Sequence, residues 1–361
     1  MQGSSPASKY PRATTQNQIP NRTMAIWLFV CCAMIFVMVV LGGVTRLTHS
    51  GLSMVEWKPV TGFLPPLGEE EWRDIFRKYQ EFPEYRKINK GMGLAEFKSI
   101  FWLEYLHRLW GRTIGVVFLL PFVFFLIKGW IGRRLGLHLA GIFVLGGLQG
   151  LLGWFMVKSG LVDQPDVSQS WLAAHLVAAF ALYGYIFWTA LKLLTPAPDA
   201  IPSPTVATLR RLAGLIVALT FFTVLSGAFV AGLDAGMAYN TFPLMEGQLV
   251  PEAMFDMTPW AVNFFENIAT VQFDHRLLAI ITFVAIVLLW LRGRNPALSG
   301  RSALAVHSLA MMALVQVTLG ISTLLLFVPV SLAVLHQAGA LVLFTLALWT
   351  AYELRRLQPQ G

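Results

Sequence analysis

Charged residues are scarce in this sequence. Aspartate, glutamate, lysine and arginine make up 13% of the 361 residues, whereas hydrophobic residues make up 56%. A soluble domain carries about 25% charged residues, because its surface must be covered with groups that bind water. The shortage of charge therefore excludes an ordinary soluble domain and indicates a chain that is largely embedded in a lipid bilayer.

Cysteine is also scarce, since the chain has only Cys31 and Cys32, which are neighbours in an apolar segment. Adjacent cysteines do not bridge each other easily, so the sequence has no disulfide framework. We expect both side chains to pack against other residues or to face lipid. The segment that contains them is too long and too far along the chain for a cleaved signal, and no small-residue cleavage site follows it. It is predicted to be the first membrane span.

Apolar runs of about 20 residues, the length needed to cross a bilayer, occur eight times. They lie near residues 24–45, 105–129, 135–157, 170–194, 211–233, 271–292, 302–327 and 332–354. This pattern predicts an all-α polytopic membrane protein with eight transmembrane helices. A long outer loop, 46–104, is expected between the first helix and the second.

Basic residues are distributed unequally between the two sides of this eight-span layout. One side carries Lys9, Arg12, Arg22, Lys128, Arg133, Arg134, Lys192, Arg210, Arg211, Arg292, Arg294, Arg301, Arg355 and Arg356. Of the short connections on the other side, only the one near 158–168 carries a basic residue, Lys158. The positive-inside rule therefore predicts two cytoplasmic tails, 1–23 and 355–361. The net charge of +8 reflects this orientation, and no nucleic-acid partner is expected.

The chain contains an internal repeat. His107 and His275 are 168 residues apart, and His175 and His336 are 161 residues apart. Each half contains four spans, so both halves enter the membrane from the same side and form a parallel repeat. We predict two four-helix bundles that lie side by side. They cover 24–194 and 211–354, and a proline-rich cytoplasmic linker, 195–210, joins them.

The four histidines of this repeat are the best candidates for chemistry, because a histidine inside a membrane is expensive and rarely incidental. His107, His175, His275 and His336 are each expected within about five residues of the outer start of an inward-running helix. All four are therefore predicted at similar depth, near the non-cytoplasmic face. Their matching positions predict two bis-imidazole sites, and haem is the metal cofactor that fits flat between two helices.

The other histidines and two glutamines have simpler explanations. His138 and His307 are expected near the cytoplasmic face, about 20–30 Å from the paired histidines at 1.5 Å per residue, where they would bond across helices. His49 is expected to be a loop residue. Gln149 and Gln316, each followed four residues later by glycine, are expected to mark helix packing.

The two halves differ beside the first histidine of each pair. Glu104 lies three residues before His107 on the same helix face, whereas its counterpart in the second half is Gln272. A carboxylate beside a haem can act as a base or hold a water molecule. The alternative is an interfacial anchor that pairs with Arg108 at i, i+4. Arg108 and Arg276 either extend to the membrane interface or pair with haem propionates.

Four segments resemble the haem A synthase family, and the similarity runs from about residue 24 to residue 354. The segments are LGGVTRLTHSGLS at 41–53, EWKPVTG at 56–62, EYLHRLWGR at 104–112 and FDHR at 273–276. The resemblance implies oxidation of the C8 methyl group of haem O to a formyl group through successive hydroxylations. The product, haem A, serves terminal oxidases.

The resemblance also implies a role for each histidine pair. His275 and His336 would ligate a haem b cofactor. The other pair would bracket the iron of the substrate haem, with a carboxylate beside the reacting edge. The remaining candidate site residues are His107 and His175 for the substrate iron, Glu104 for the chemistry, and Arg108 and Arg276 for haem binding.

The outer loop indicates which members of the family the chain is most similar to. No cysteine lies in 46–104, so a thiol-based redox step in this loop is excluded. The sequence resembles the longer-loop type found in proteobacteria and mitochondria. No arginine-rich amphipathic presequence is evident in 1–23, which favours a bacterial inner membrane over a mitochondrial one.

Two other functions stay open at this point. A dihaem b-type electron-transfer cytochrome without substrate chemistry would also use two histidine pairs, although such proteins commonly place haems at both faces. A transporter would also have parallel repeats, but no broken helix pair with a midplane ion site is evident. The partners considered for a synthase are haem O, haem O synthase, an electron acceptor, the lipid bilayer and a second copy in a homo-oligomer.

Overall fold

The computed structural model describes residues 18–56, 62–162, 165–195, 203–294, 298 and 300–357. Several segments considered above lie outside the described residues. They are the tail 1–17, residues 57–61 of the EWKPVTG segment, the linker prolines Pro196, Pro198 and Pro202, and residues 358–361.

The described chain is helical, as the apolar runs predict. In chain order its helices are α1 (Gln18–Leu47), α2 (Glu69–Tyr79), α3 (Pro83–Lys87), α4 (Leu94–Ile127), α5 (Arg133–Gly160), α6 (Gln169–Leu194), α7 (Pro204–Gly232), α8 (Asn263–Glu266), α9 (Ile268–Gly293), α10 (Gly300–Leu325) and α11 (Val330–Arg356). All except α2, α3 and α8 are long and apolar enough to cross a membrane, which makes 8 candidate spans among the described residues. The prediction of an all-α polytopic membrane protein is confirmed.

Four helices form the centre of the bundle. Helices α1, α6, α7 and α11 pack against one another, while α4 and α5 flank α1 and α6, and α9 and α10 flank α7 and α11. Cys31 and Cys32 are buried in the apolar core of α1, α4, α5, α6 and α11 rather than facing lipid. This arrangement is consistent with two four-helix repeats side by side. The division into 24–194 and 211–354 stays a prediction.

Polar contacts join the two halves inside the bundle. The hydroxyls of Tyr183 and Thr345 lie 2.7 Å apart, and Gln337 Nε2 donates to the carbonyl of Val39 at 3.0 Å. A Cβ at Gly43 would lie 2.8 Å from Gln337 Oε1, so the glycine leaves room for the Gln337 side chain in this position. Polar side chains that bond across helices hold membrane bundles together, because the lipid offers them no partners.

The segment between α1 and α4 is more structured than the loop predicted over 46–104. Helix α4 begins at Leu94 rather than near residue 105 and has 34 residues. At 1.5 Å per residue it is about 51 Å long, well beyond the ~30 Å hydrocarbon core of a bilayer. Its first turns bury Phe97 and Phe101 against Trp72 of α2. Charged residues among these aromatic residues lower the mean hydropathy, so the apolar pattern does not reveal the extra turns.

The early start of α4 changes one prediction about depth. His107 lies 13 residues after the first residue of α4, so the expectation that it lies within about five residues of a helix start is wrong. His175, His275 and His336 lie six, seven and six residues after the starts of α6, α9 and α11. The added turns of α4 pack against the aromatic residues between α1 and α4. His107 still lies close enough to His175 for their charges to interact.

Candidate functional site

His275 of α9 and His336 of α11 lie close together. Their ring centres are 6.5 Å apart and their planes are perpendicular, at 90°. Each ring packs against a glycine of a neighbouring helix. A Cβ at Gly227 would lie 2.9 Å from His275 Cε1, and a Cβ at Gly320 would lie 2.8 Å from His336 Cε1. These distances are too short for a real side chain, so only glycine admits the two rings.

His107 of α4 and His175 of α6 repeat this arrangement in the N-terminal half. A Cβ at Gly42 of α1 would lie 3.2 Å from His107 Cε1, and a Cβ at Gly153 of α5 would lie 3.0 Å from His175 Cε1. Both rings of the N-terminal pair thus have the same glycine backing, and His107 and His175 lie near enough for their charges to interact. The glycines are as much a part of the arrangement as the histidines.

Two glutamines hold the second histidine of each pair. Gln149 Nε2 lies 3.1 Å from His175 Nδ1 and donates to the His175 carbonyl at 2.7 Å. Gln316 Nε2 lies 3.2 Å from His336 Nδ1 and donates to the His336 carbonyl at 2.9 Å. The sequence argument assigned both glutamines to packing and missed this contact. The signal was the shared spacing, because each glutamine lies one helical turn before the glycine that backs the same ring.

The first histidines of the two pairs differ in their partners. Ser226 Oγ lies 2.9 Å from His275 Nδ1, whereas His107 Nδ1 is buried and has no partner in the described part of the chain. Ser226 directly precedes Gly227. In the N-terminal half the residue directly before Gly42 is Leu41, whose side chain cannot form a hydrogen bond. A ligand imidazole is normally oriented through its second nitrogen. His275 is therefore more firmly oriented than His107.

Glu104 is a buried carboxylate one turn before His107. It is 3% exposed. Its Oε2 accepts from Ser53 Oγ at 2.7 Å and from the Met54 amide at 2.8 Å. Its Oε1 accepts from Arg108, which follows one turn later. Three donors from two segments therefore hold the carboxylate in one orientation.

Gln272 occupies the corresponding place in the C-terminal half. Its Nε2 donates to the Ala235 carbonyl at 2.6 Å, and its Oε1 accepts from Arg276 at 2.8 Å. In both halves, this side chain thus accepts a hydrogen bond from an arginine four residues later. It also bonds to the outer segment of its half, which is the chain between α1 and α4 or between α7 and α9. The two halves differ in charge, because one side chain is a carboxylate and the other is an amide.

Both arginines also bind the main chain of the outer segments. Arg108 donates to the Met54 carbonyl at 2.9 Å. Arg276 donates to the carbonyls of Tyr239 at 2.6 Å and Thr241 at 2.8 Å. These bonds fasten the outer segments onto α4 and α9, above the histidine pairs. The anchor suggested as an alternative for Glu104 is therefore present, because Glu104 and Arg108 form an ion pair.

The remaining histidines do not join these pairs. His138 Nδ1 lies 2.6 Å from the Arg134 carbonyl and His307 Nδ1 lies 2.7 Å from the Ala303 carbonyl, each within its own helix. Both side chains are exposed. Their hydrogen bonds are local, rather than across helices as predicted, although the His307 ring also meets the Trp290 ring of α9 edge to face, with ring centres 6.4 Å apart.

The geometry of the C-terminal pair fits an iron porphyrin. A metal between two imidazoles, with metal–nitrogen bonds of about 2 Å, separates the ring centres by about 6 Å, close to the 6.5 Å between His275 and His336. Within the described ranges, no group of three or more histidine, cysteine or acidic residues could hold a metal ion. A metal at a pair must therefore bring its other ligands, as the nitrogens of a porphyrin do.

This fold and site define a class of polytopic helical membrane proteins that place paired, glycine-backed histidines between their helices. The chain belongs to the COX15-CtaA family, described as cytochrome oxidase assembly protein, whose model matches residues 25–348. It is 55% identical to the haem A synthase of Nitrosospira multiformis over 97% of this chain and 98% of that relative. It is 53% identical to the haem A synthase of Nitrosomonas eutropha, over 94% and 95%. Haem A synthase COX15 of Arabidopsis thaliana is 52% identical, over 94% of this chain and 76% of that relative.

Proposed function

We propose that this protein is a haem A synthase, which oxidises the C8 methyl group of haem O to a formyl group by successive hydroxylations. The observation that carries the proposal is a difference in charge beside the two histidine pairs. A buried carboxylate, Glu104, lies beside one pair, and a neutral amide, Gln272, lies beside the other. One substrate site and one cofactor site account for this difference. The names of relatives that span nearly the whole chain support the same activity.

The C-terminal pair is the cofactor site in this proposal. His275 and His336 would hold haem b, and the bound haem would supply a redox-active iron. Ser226 and Gln316 contact the Nδ1 atoms of the two rings, which leaves the Nε2 atoms as the ligating nitrogens. Firm orientation of both rings suits a group that stays bound through many turnovers.

The N-terminal pair is the substrate site. His107 and His175 bracket the iron of haem O, and Glu104 acts beside the reacting methyl group. His107 Nδ1 has no partner among the described residues, which leaves its ring less firmly oriented than that of His275, as suits a haem that must enter and leave. Ser53 and Arg108 hold the Glu104 carboxylate in place, so that it can take a proton or orient a water molecule.

The finer assignments around this site remain predictions. Arg108 and Arg276 are candidates to pair with haem propionates, in addition to their bonds to the outer segments. An electron acceptor must complete the oxidation. Contact with haem O synthase would spare the poorly soluble substrate a passage through water, and a homo-oligomer is the other expected assembly.

Co-expression tests the proposed reaction. The chain is produced in cells that make haem O but no haem A, and the extracted pigments are separated by chromatography. Haem A should appear with the chain and be absent from cells that carry the haem O source alone. Two haems per chain without any haem A would instead indicate an electron-transfer cytochrome.

Gly227→Ala is expected to weaken haem b binding, because its Cβ would meet His275 Cε1 at 2.9 Å. The ring must move, and haem affinity should fall by about 10-fold or more, the scale for disturbing the support of a metal ligand. Haem titration of the purified protein measures this effect.

Gly214→Ala, on the same helix, is the matched control. No atom lies within 4 Å of the Cβ that it would add, and alanine favours a helix over glycine by about 0.5–1 kcal/mol. Its haem affinity should equal that of the unmodified chain. Equal affinities in the two variants would show that the glycine does not shape the site.

The chain is a multi-pass membrane protein, and we propose a bacterial inner membrane with both termini in the cytoplasm. The distribution of basic residues supports this orientation. It places the outer segments, Glu104 and both histidine pairs toward the non-cytoplasmic side.

Ser99→Cys tests the orientation, in a background without Cys31 and Cys32. Ser99 is exposed near the start of α4, so the new thiol should react with an impermeant maleimide in intact spheroplasts. Thr205→Cys, exposed at the start of α7, should react only after lysis. The reverse result for the two thiols would invert the topology.

A further inference from the structure

A second buried carboxyl group, Glu84 of α3, lies in the outer segment close to Glu104. Glu84 is 2% exposed, and its Oε2 is buried without a hydrogen-bond partner among the described residues. The hydroxyl of Tyr79 bonds to the carboxyl group and accepts from Asn89 Nδ2 at 2.8 Å. A carboxyl oxygen that is buried and left unpaired is destabilising, so its presence calls for an explanation.

Glu84 also lines a cavity that has room for water. His49, Arg46 and Asp166 line the same cavity, and Asp166 is exposed, so the cavity approaches the outer surface. Leu52 forms another part of its wall. The next residue along the chain is Ser53, which donates to Glu104. The segment that ends at Ser53 therefore separates the cavity from the Glu104 carboxylate.

Several charged groups act on Glu84. Burial is the main cause that raises its pKa to about 8, and the negative charges of Glu104 and Asp166 raise it further, against the bond from Tyr79. The Arg46 guanidinium, which faces the cavity from α1, is already paired with Asp234 at 3.3 Å. At neutral pH Glu84 therefore holds a proton, whereas an exposed glutamate does not.

Oxidation of a methyl group, with its electrons passed to an electron acceptor, releases protons that must leave the reacting centre. Glu104 is 3% exposed and is enclosed by Ser53, Met54 and Arg108, so it needs a neighbour that carries protons. We propose that Glu84 is this neighbour: it releases its own proton to the outer aqueous phase through the cavity at His49 and Asp166, and then takes up the next proton from Glu104. This inference rests on the proposed haem A synthase function.

Glu84→Gln removes the titratable proton and keeps the shape of the side chain. Haem A formation, measured as the ratio of haem A to haem O in cells, should fall at least about tenfold. This effect is smaller than the one expected for loss of a positioned acid–base group. Haem b content should stay unchanged. In the unmodified chain, activity in spheroplasts should rise as the external pH rises through about 8, because Glu84 must lose its own proton before it can accept one released at the reacting centre. This rise should be absent from the Gln variant.

Infrared spectroscopy of the purified protein gives a readout apart from activity. A protonated-carboxyl band should titrate near pH 8, disappear in Glu84→Gln and persist in Glu81→Gln, whose glutamate is exposed in the same outer segment. Glu84→Asp keeps a carboxyl and should recover part of the activity. If Glu84→Gln loses its haem spectrum, Glu84→Asp is used for the test instead.

Three results would overturn the relay: a band unchanged in Glu84→Gln, haem A formation by that variant at the normal level with the normal pH profile, or a folded Asp variant as inactive as the Gln variant. The proposed function itself fails only if the unmodified chain makes no haem A. The two failures are therefore distinguishable.

Discussion

Glu104→Gln should lower haem A formation by on the order of 100-fold or more, the usual scale for loss of a positioned acid–base group. The substitution keeps the size of the side chain and removes its charge. Gln272 shows that an amide is compatible with the same place, because it bonds to an outer-segment carbonyl and to Arg276. Substrate haem should still bind through its iron and its apolar surface, so haem O or the hydroxymethyl intermediate should accumulate. Pigment extraction and chromatography measure all three haems.

The alternative role of Glu104 is structural, since it forms an ion pair with Arg108 and accepts the amide of Met54. The reciprocal variant Gln272→Glu is the control, because it changes the same kind of group beside the other pair. It should leave haem A formation within about a factor of two, provided that haem b is retained. If Glu104→Gln made haem A at a near-normal rate, Glu104 would be an anchor for the outer segment and not a participant in the reaction.

His275→Ala or His336→Ala should abolish the low-spin haem b spectrum of the purified protein. Each substitution removes one axial bond of a bis-imidazole site and leaves a space beside Gly227 or Gly320. Loss of a ligand is far more severe than loss of a group that only orients the ligand, which lowers metal affinity by about 10–100-fold. Haem A formation should be lost together with the spectrum.

Alanine at His107 or His175 provides the comparison. These variants should retain much of the haem b spectrum and still make no haem A, because they affect the substrate site only. Reduced-minus-oxidised spectra and pigment analysis of the same preparations measure the two properties. If the variants of both pairs lost the haem b spectrum equally, the division into cofactor and substrate halves would be wrong.

The membrane class, the number of spans and the candidate histidines could all be predicted from the sequence. Each span requires about 20 apolar residues in a row, so hydropathy alone finds it. The pairing of His107 with His175 and of His275 with His336 followed from the repeat, because matching residues lie at matching depth when two halves cross the membrane in the same direction. The difference between Glu104 and Gln272 was visible for the same reason.

The supports of these histidines could not be predicted in the same way. Gln149 and Gln316 look like packing residues in the sequence, and no sequence pattern links Ser226 to His275. Each contact joins residues 20 to 49 positions apart, on different helices. Such contacts depend on the rotation of one helix against another, which the apolar pattern of a fully embedded helix constrains only weakly.

The structure of the outer segment before α4 could not be predicted from the sequence either. The sequence alone determined an all-α membrane protein with paired histidines, because apolar length and repeated spacing are local properties of the chain. The tertiary structure decided that α4 extends to Leu94, that Glu104 is held by Ser53, and that Glu84 is buried in the segment between α1 and α4. These features depend on contacts among α1, α2, α3 and α4. A charged residue in a mixed loop is expected to face water, and only the packing of the whole segment removes it from water.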